Sequence, residues 1–432
     1  MMLRLPKSFL SPLATFAFIG VSVDYVNFIF TTSTRWIFLL LLILYLLAKR
    51  RLLIGLRSSF GIAVLCYCAW CLTTYTWSEV PNLSIAKATA FSLVAVAFVS
   101  AGYLWVCERG SLGAISYLAP VTVLAICAGS AGTSYDAGVT VNLDMYQGLT
   151  YNPNMLGSLL AMALPLLLWN MYRYRAAPNM KWVWIALTAI VAGLLLRSHS
   201  RSAMLAAGMI GCGFCLSLKL SRTAFISVLI GATLFMAAAA GTAILDTTYQ
   251  TYILKGVTAE SGVLASRQDV WQESYNAAQE GGRYGLGYGV SAGDISFHGG
   301  LTTIGYGREK GNTELAIVEE TGLVGLGLYI CILLTLFIPL ISAHRREQMS
   351  DKKVALGIII GSLAGMTAMS VFEAWWVAPG SPESVFFWSF AGIGLGIARN
   401  TVPARNSLSR DRTVTAQPIY SARFLQERRM KG

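Results

Sequence analysis

The sequence predicts an all-α integral membrane protein of about twelve transmembrane helices with a large external loop. Three observations predict it. Of 432 residues, 55% are hydrophobic and only 12% are charged, against roughly 25% charged in an average soluble protein. The mean hydropathy is +0.58. The apolar residues come in long runs rather than alternating with polar ones. A soluble core stops growing at about 250–300 residues and would not need so much apolar surface. Composition therefore excludes a soluble enzyme, a collagen-like chain, a disordered chain and a small disulfide-stapled fold.

Apolar runs long enough to cross a bilayer fall at 11–30, 36–48, 58–77, 84–106, 112–130, 154–172, 180–197, 202–219, 223–245, 322–342, 353–372 and 383–399. The second is short, and Trp36 and Lys49 extend its reach by sitting at the two interfaces. Arg4 and Lys7 precede the first run as they would in a signal peptide. No small-residue cleavage site follows, so a retained span is expected. The organisation is spans one to nine over 1–245, an external loop with short helices over 246–321, spans ten to twelve over 322–399, and a basic tail over 400–432. The tail reads as a solvated segment or as a dock for anionic lipid or a partner. No internal repeat is evident.

The basic residues orient the spans. Arg4, Lys7, Lys49, Arg50, Arg51, Arg57, Arg173, Arg175, Lys181, Lys219, Arg222, Arg345, Arg346, Lys352, Lys353 and the tail arginines all fall on one side if the spans alternate. That side is expected to be the cytoplasm, with both termini inside. The net charge of +12 is thus a topology signal, and no nucleic-acid partner is expected. The eight cysteines lie in or beside spans. They read as small buried residues, without a disulfide framework or a metal site.

The polar chemistry then gathers on the outer side. In the 246–321 loop, Gly285-Leu286-Gly287-Tyr288-Gly289 reads as a tight turn, a lone glycine pattern being weak evidence for a phosphate cradle. Arg197-Ser198-His199-Ser200-Arg201-Ser202 joins spans seven and eight. Arginine is disfavoured on the outer side, and planar guanidinium groups bind phosphate bidentately, so an anion site is expected here. Asn154 could cap the sixth span. Trp77-Ser78-Glu79-Val80-Pro81-Asn82 forms a turn between spans three and four. Outer Arg197, Arg201, Lys255, Arg267, Arg283, Arg308 and Lys310 would together suit an anionic lipid-linked substrate, or be scattered solvated charges. Glu319 and Glu320 read as favouring a helix N-terminal dipole. Asp24 reads as an intramembrane carboxylate paired with a neighbouring span.

These segments, in this order, resemble the O-antigen ligase and polymerase superfamily of bacterial envelope enzymes. Trp77-Ser78-Glu79-Val80-Pro81 is similar to its "WS-x-x-P" loop, and Tyr151-Asn152-Pro153-Asn154-Met155-Leu156-Gly157 to its "NPN-x-LG" segment. Ser200-Arg201-Ser202-Ala203 is similar to its "SRS/GA" motif. Arg267 through Trp271 and the glycine run resemble "R-x-x-x-W … G-x-G-x-G". Asn312 with Gly322-Leu323-Val324-Gly325 fits "H-[NSQ]-x9-G-x-x-G". The set covers about residues 70–330. Gly311 stands where the signature has a histidine, and glycine can serve neither as base nor as ligand.

The resemblance implies a GT-C-like bundle in the bacterial inner membrane and an inverting glycosyltransferase with no metal and no other cofactor. Its donor would be an oligosaccharide on undecaprenyl diphosphate, attacked at the anomeric carbon by an acceptor sugar hydroxyl. The absent histidine favours a polymerase of repeat units over a ligase that passes a finished glycan to lipid A core or protein. A lipid-linked glycan transporter is the rival from another class, although such proteins often show repeated halves. Arg201 and Arg267 match the family's functional arginines and are expected to bind the diphosphate, helped by Arg197 and Arg308. Asn154, Trp271 and Asn312 would line the site. His298 and Glu314 are the candidate bases, with Asp294 a further option. Membrane lipid and a chain-length-regulating co-polymerase are the expected partners.

Overall fold

Backbone N–H and C=O groups have no water to bond in a bilayer core, so spanning segments close their hydrogen bonds within helices. The computed structural model describes residues 9–24, 26, 28–131, 141–142, 145–218, 265–290 and 310–399. The expected ninth span, Lys255, Asp294, His298, Arg308 and the tail lie outside the described residues. The helices are α1 (Leu10–Gly20), α2 (Thr32–Ala48), α3 (Ser59–Thr73), α4 (Pro81–Arg109), α5 (Ala119–Ala131, after a 3-10 stretch over Ser111–Leu118), α6 (Pro153–Arg173), α7 (Pro178–Arg197), α8 (Arg201–Ser217), α9 (Ala265–Gly281), α10 (Thr313–Arg346), α11 (Ser350–Ser370) and α12 (Pro382–Arg399). A two-stranded ribbon, β1 (Val141–Asn142) against β2 (Met145–Tyr146), precedes α6. Among the described residues, seven helices are long and apolar enough to cross a membrane. The chain is an all-α membrane protein.

Local signals set the helix starts. Thr31 caps α2 and Ser58 caps α3 through their hydroxyls. Proline takes the first position of α4, α6 and α7, where its missing N–H has no helical partner to lose. Asn152 caps α6, its Oδ1 accepting from Met155 N–H at 2.7 Å. The expectation for Asn154 is thereby corrected: Pro153 occupies the first helical position, so the cap falls one residue before it.

Small residues let the spans approach closely, as membrane helix pairs require. Gly357, Gly361 and Gly365 of α11 recur every four residues and pack against Gly213, Met209 and Ala206 of α8. Gly392 of α12 meets the backbone at Val99 and Tyr103 of α4. The buried core runs through these helices with Phe91, Trp376, Phe387 and Trp388 at its centre. Outward-facing Ile330, Leu334 and Ile338 of α10 suit contact with lipid.

The first span is shorter than expected. Helix α1 ends at Gly20, and the chain then bridges Val23 to Thr150 while Asp24 N–H donates to the Leu149 carbonyl at 2.7 Å. Pairing with the segment before α6 replaces further helical turns, and Asp24 lies past the helix end rather than mid-span. Helix α10 is longer than the expected span 322–342 because a nine-residue helix precedes it over 313–321. Gly322, at φ 69°, separates the two parts. At 1.5 Å per residue, the part after the break is roughly 37 Å long and spans a bilayer alone. The cysteines are all free, but Cys66, Cys107, Cys127, Cys212 and Cys331 are exposed rather than buried. Apart from Cys107, which lines a cleft with Lys49, Arg51 and Glu108, they lie on outward helix faces, where a small apolar side chain suits lipid as well as a core.

Candidate functional site at one end of the bundle

Segments far apart in sequence meet at the end where α6, α8 and α10 begin. Gly157 of α6 lies so close to the start of α8 that an added Cβ would stand 2.5 Å from Ser200 Cβ and 2.9 Å from Ala203 Cβ. The Asn-Pro-Asn and Ser-Arg-Ser segments are therefore packed together. Next to Gly157, Ser158 Oγ donates to Met369 Sδ at 3.6 Å, which ties α6 to the end of α11. The chain after α11 then receives the start of α10. Asn312 Nδ2 donates to the Val371 carbonyl at 3.0 Å, Thr313 Oγ1 to the Glu373 carbonyl at 3.1 Å, and Ala374 N–H to the Lys310 carbonyl at 3.3 Å. Trp271 of α9 closes the group, donating from Nε1 to the Gly311 carbonyl at 3.1 Å and packing on Phe372 with ring centroids 6.0 Å apart.

The expected site residues take distinct places in this arrangement. Asn312 caps α10, its Oδ1 accepting from Leu315 N–H at 2.8 Å, so its amide both starts the helix and tethers it. Glu314 lies in the first turn of α10. One of its carboxylate oxygens accepts from the Tyr329 hydroxyl at 3.3 Å, and Oε2 is buried with no hydrogen-bond partner among the described residues. Arg201 is the half-buried first residue of α8. It follows a turn in which His199 adopts φ 51° and Ser198 and Ser200 are fully buried. Arg197 ends α7 just before this turn, its guanidinium 4.8 Å from the Tyr146 ring centroid. Asn154 is half-buried in the first turn of α6. Arg267 lies on α9, one turn before Trp271, and its side chain is outside the description.

One expectation about charge is corrected. Lys310 is not a free outer cation: it is 6% exposed, pairs with Glu320, lies 3.8 Å from Glu319, and donates to the Val290 carbonyl at 3.3 Å. Glu319 and Glu320 are fully buried at the end of the first part of α10, immediately before the Gly322 break that starts the expected span. Burial of these carboxylates requires a cation and donors, and Lys310 and Gly289 N–H, the latter 2.8 Å from Glu320 Oε2, supply them.

The glycine run is a turn, as expected, with Gly285, Gly287 and Gly289 at φ 78°, 117° and 82°. Its amides are consumed by the fold. Leu286 N–H and Gly287 N–H donate to the carbonyls of Glu319 and Glu320, and Tyr288 N–H to Thr74 Oγ1. None of these amides is left to cradle a phosphate. The turn also packs on the Trp-Ser-Glu loop, where Trp77 Nε1 donates to the Gly285 carbonyl at 3.1 Å. An added Cβ on Gly322 would run into the Arg283 carbonyl, so the break in α10 and the turn are fitted to each other.

Sequence reasoning passed over the segment after α11. Its Phe372, Glu373, Trp375 and Trp376 hold α9, α10 and α12 together, with Tyr329 and Trp376 rings 4.8 Å apart. A dense aromatic run outside a span was the available signal. Among the described residues, no group of three or more His, Cys, Asp or Glu side chains is placed to hold a metal ion. A cleft of about 400 Å³ lies at the far end of α4, lined by Lys49, Arg51, Ile54, Leu104, Cys107 and Glu108, away from this site.

The fold and site thus define a polytopic helical membrane protein with a polar assembly at one end, built from loops and helix starts. The chain matches no protein-family model and no curated protein.

Proposed function

We propose that this protein is a polysaccharide polymerase of the inner membrane, joining undecaprenyl-diphosphate-linked repeat units on the outer face. The observation that carries the reading is convergence. The five segments that resemble the O-antigen ligase and polymerase superfamily meet at one end of the bundle, although about 250 residues separate the first from the last. Basic residues at the helix ends on the opposite side, such as Arg109, Arg173, Arg345 and Arg346, support assigning the convergent end to the outer face.

In this reading an acceptor hydroxyl attacks the anomeric carbon of the donor sugar from the face opposite the diphosphate. The new glycosidic bond forms as the bond to the diphosphate oxygen breaks, and the lipid diphosphate leaves with the electron pair. Arg201 and Arg267 stabilise the charge that develops on it, a role in which losing one donor commonly lowers the rate by about 10²–10³. Glu314 accepts the acceptor's proton on Oε2, the oxygen to which none of the described residues donates a hydrogen bond. Tyr329 holds the other oxygen and fixes the carboxylate's orientation. Asn312 and Trp271 anchor the start of α10 that carries Glu314.

Purified protein in detergent, given only the lipid-linked repeat unit, is the test. A ladder of increasing repeat number on a gel supports the polymerase. Transfer only after a lipid A core acceptor is added identifies a ligase. Flux of intact lipid-linked glycan across a vesicle membrane without bond formation identifies a transporter.

A further inference from the structure

Trp70, Trp77 and Tyr284 form a three-ring cluster beside the glycine turn. Ring centroids are 5.5 Å apart for Trp70 and Trp77, 6.3 Å for Trp70 and Tyr284, and 6.2 Å for Trp77 and Tyr284. Trp77 is 39% exposed and Tyr284 51% exposed. The Arg283 guanidinium lies 5.5 Å from the Tyr284 ring centroid. Tryptophan at a membrane interface ordinarily keeps its ring in the apolar layer and its N–H toward headgroups or water. Here both indole N–H groups are turned into the protein. Trp70 Nε1 donates to the Thr321 carbonyl at 2.9 Å and Trp77 Nε1 to the Gly285 carbonyl at 3.1 Å. Their N–H groups are thus spent on the backbone at Thr321 and Gly285, beside the break in α10, and the rest of each indole is carbon.

We infer that Trp70, Trp77 and Tyr284 form a stacking platform for a pyranose ring of the glycan. A sugar ring offers one face of C–H bonds that packs on the electron-rich face of an aromatic ring, and a rim of hydroxyls that Arg283 can engage. The platform is placed to serve the reaction. Thr321 lies seven residues along α10 from Glu314, roughly 10 Å at the helical rise. A sugar stacked there belongs to the same chain as the one that reacts, a unit or two removed. Binding energy gained at such a remote sugar is the same in the ground and transition states, so it lowers KM and leaves kcat nearly untouched. This inference rests on the glycosyl-transfer reading above.

The probe is the repeat-unit oligosaccharide released by mild acid from the host's lipid-linked pool, mixed with the detergent-solubilised full-length protein. Saturation-transfer NMR is expected to show magnetisation passing from protein aromatic protons to pyranose C–H protons. Trp77→Ala/Tyr284→Ala should abolish it. Trp77→Phe and Tyr284→Phe, which keep a ring face, should retain it and so control for folding. In the chain-extension assay the alanine variants should raise the apparent KM for the acceptor about tenfold, the scale of losing one stacking face, and leave kcat nearly unchanged. No transfer in wild type, or undiminished transfer in the double alanine variant, overturns the platform. An unaltered KM in a protein that makes a normal ladder overturns it alone, whereas a wild type that forms no glycosidic bond, with or without an added lipid A core acceptor, overturns the glycosyl-transfer reading.

Discussion

Replacing Lys310 by methionine removes the ammonium that pairs with Glu320 and lies close to Glu319. The side chains of Lys310 and Glu320 are 3% and 1% exposed, and Glu319 is 3.8 Å from the same ammonium. Water does not reach the carboxylates to compensate, and the Gly289 N–H is a partner for only one oxygen of Glu320. Removing one member of a buried pair leaves an uncompensated charge and commonly costs about 3–5 kcal/mol. Glu320→Gln should cost less, about 1–3 kcal/mol, because Glu319 can still face the ammonium and an amide oxygen can still accept from Gly289. The double variant Lys310→Met/Glu320→Gln leaves fewer unmatched charges than the sum of the two changes, so a coupling of about 0.5–3 kcal/mol is expected. Equilibrium unfolding by SDS titration in mixed micelles measures all three. Additive losses, or a Lys310→Met loss under about 1 kcal/mol, which is the scale of an exposed pair, would refute the buried, coupled arrangement.

Three further outcomes follow from the site. Asn152→Ala should lower stability by about 1 kcal/mol through loss of the α6 cap, while Asn154→Ala should stay within about 0.5 kcal/mol, both read by the same titration. Gly157→Val inserts a branched side chain where even Cβ meets Ser200 at 2.5 Å. Overpacking of this kind costs about 1–3 kcal/mol or more, and the variant should show a reduced monodisperse fraction on size exclusion. Glu314→Gln should slow chain extension by about 10²–10⁴, the range for removal of a general base, and should flatten the acid limb of the pH–rate profile. An unchanged rate moves the base elsewhere.

Much of the fold was legible because hydrophobic length is a one-dimensional signal. The runs expected at 84–106 and 353–372 are helices over Pro81–Arg109 and Ser350–Ser370. The expected boundary at 322 falls on the Gly322 break. Where a tertiary partner overrode the local pattern, the reading failed. Val21 to Phe30 is apolar enough to continue α1, yet Val23 and Asp24 pair with Thr150 and Leu149. Neighbouring asparagines at 152 and 154 were ambiguous until Pro153 fixed which precedes the helix. Lys310 looked like the other loop cations because its partner, Glu320, is brought to it only by the turn of the chain at Asn312 and the length of the first part of α10. The order of the site motifs was visible in the sequence. Their junction through Met369, Val371 and Phe372 was not, since nothing local marks those residues as partners.

The most direct test counts bonds against leaving groups. A reaction holding only purified protein, detergent and lipid-linked repeat unit, with a chelator present, is sampled for glycosidic bonds formed and lipid diphosphate released. The polymerase account predicts equal amounts of both over the whole time course, alongside a growing ladder. Release without bond formation, or bonds that form only when a divalent cation is restored, would contradict it.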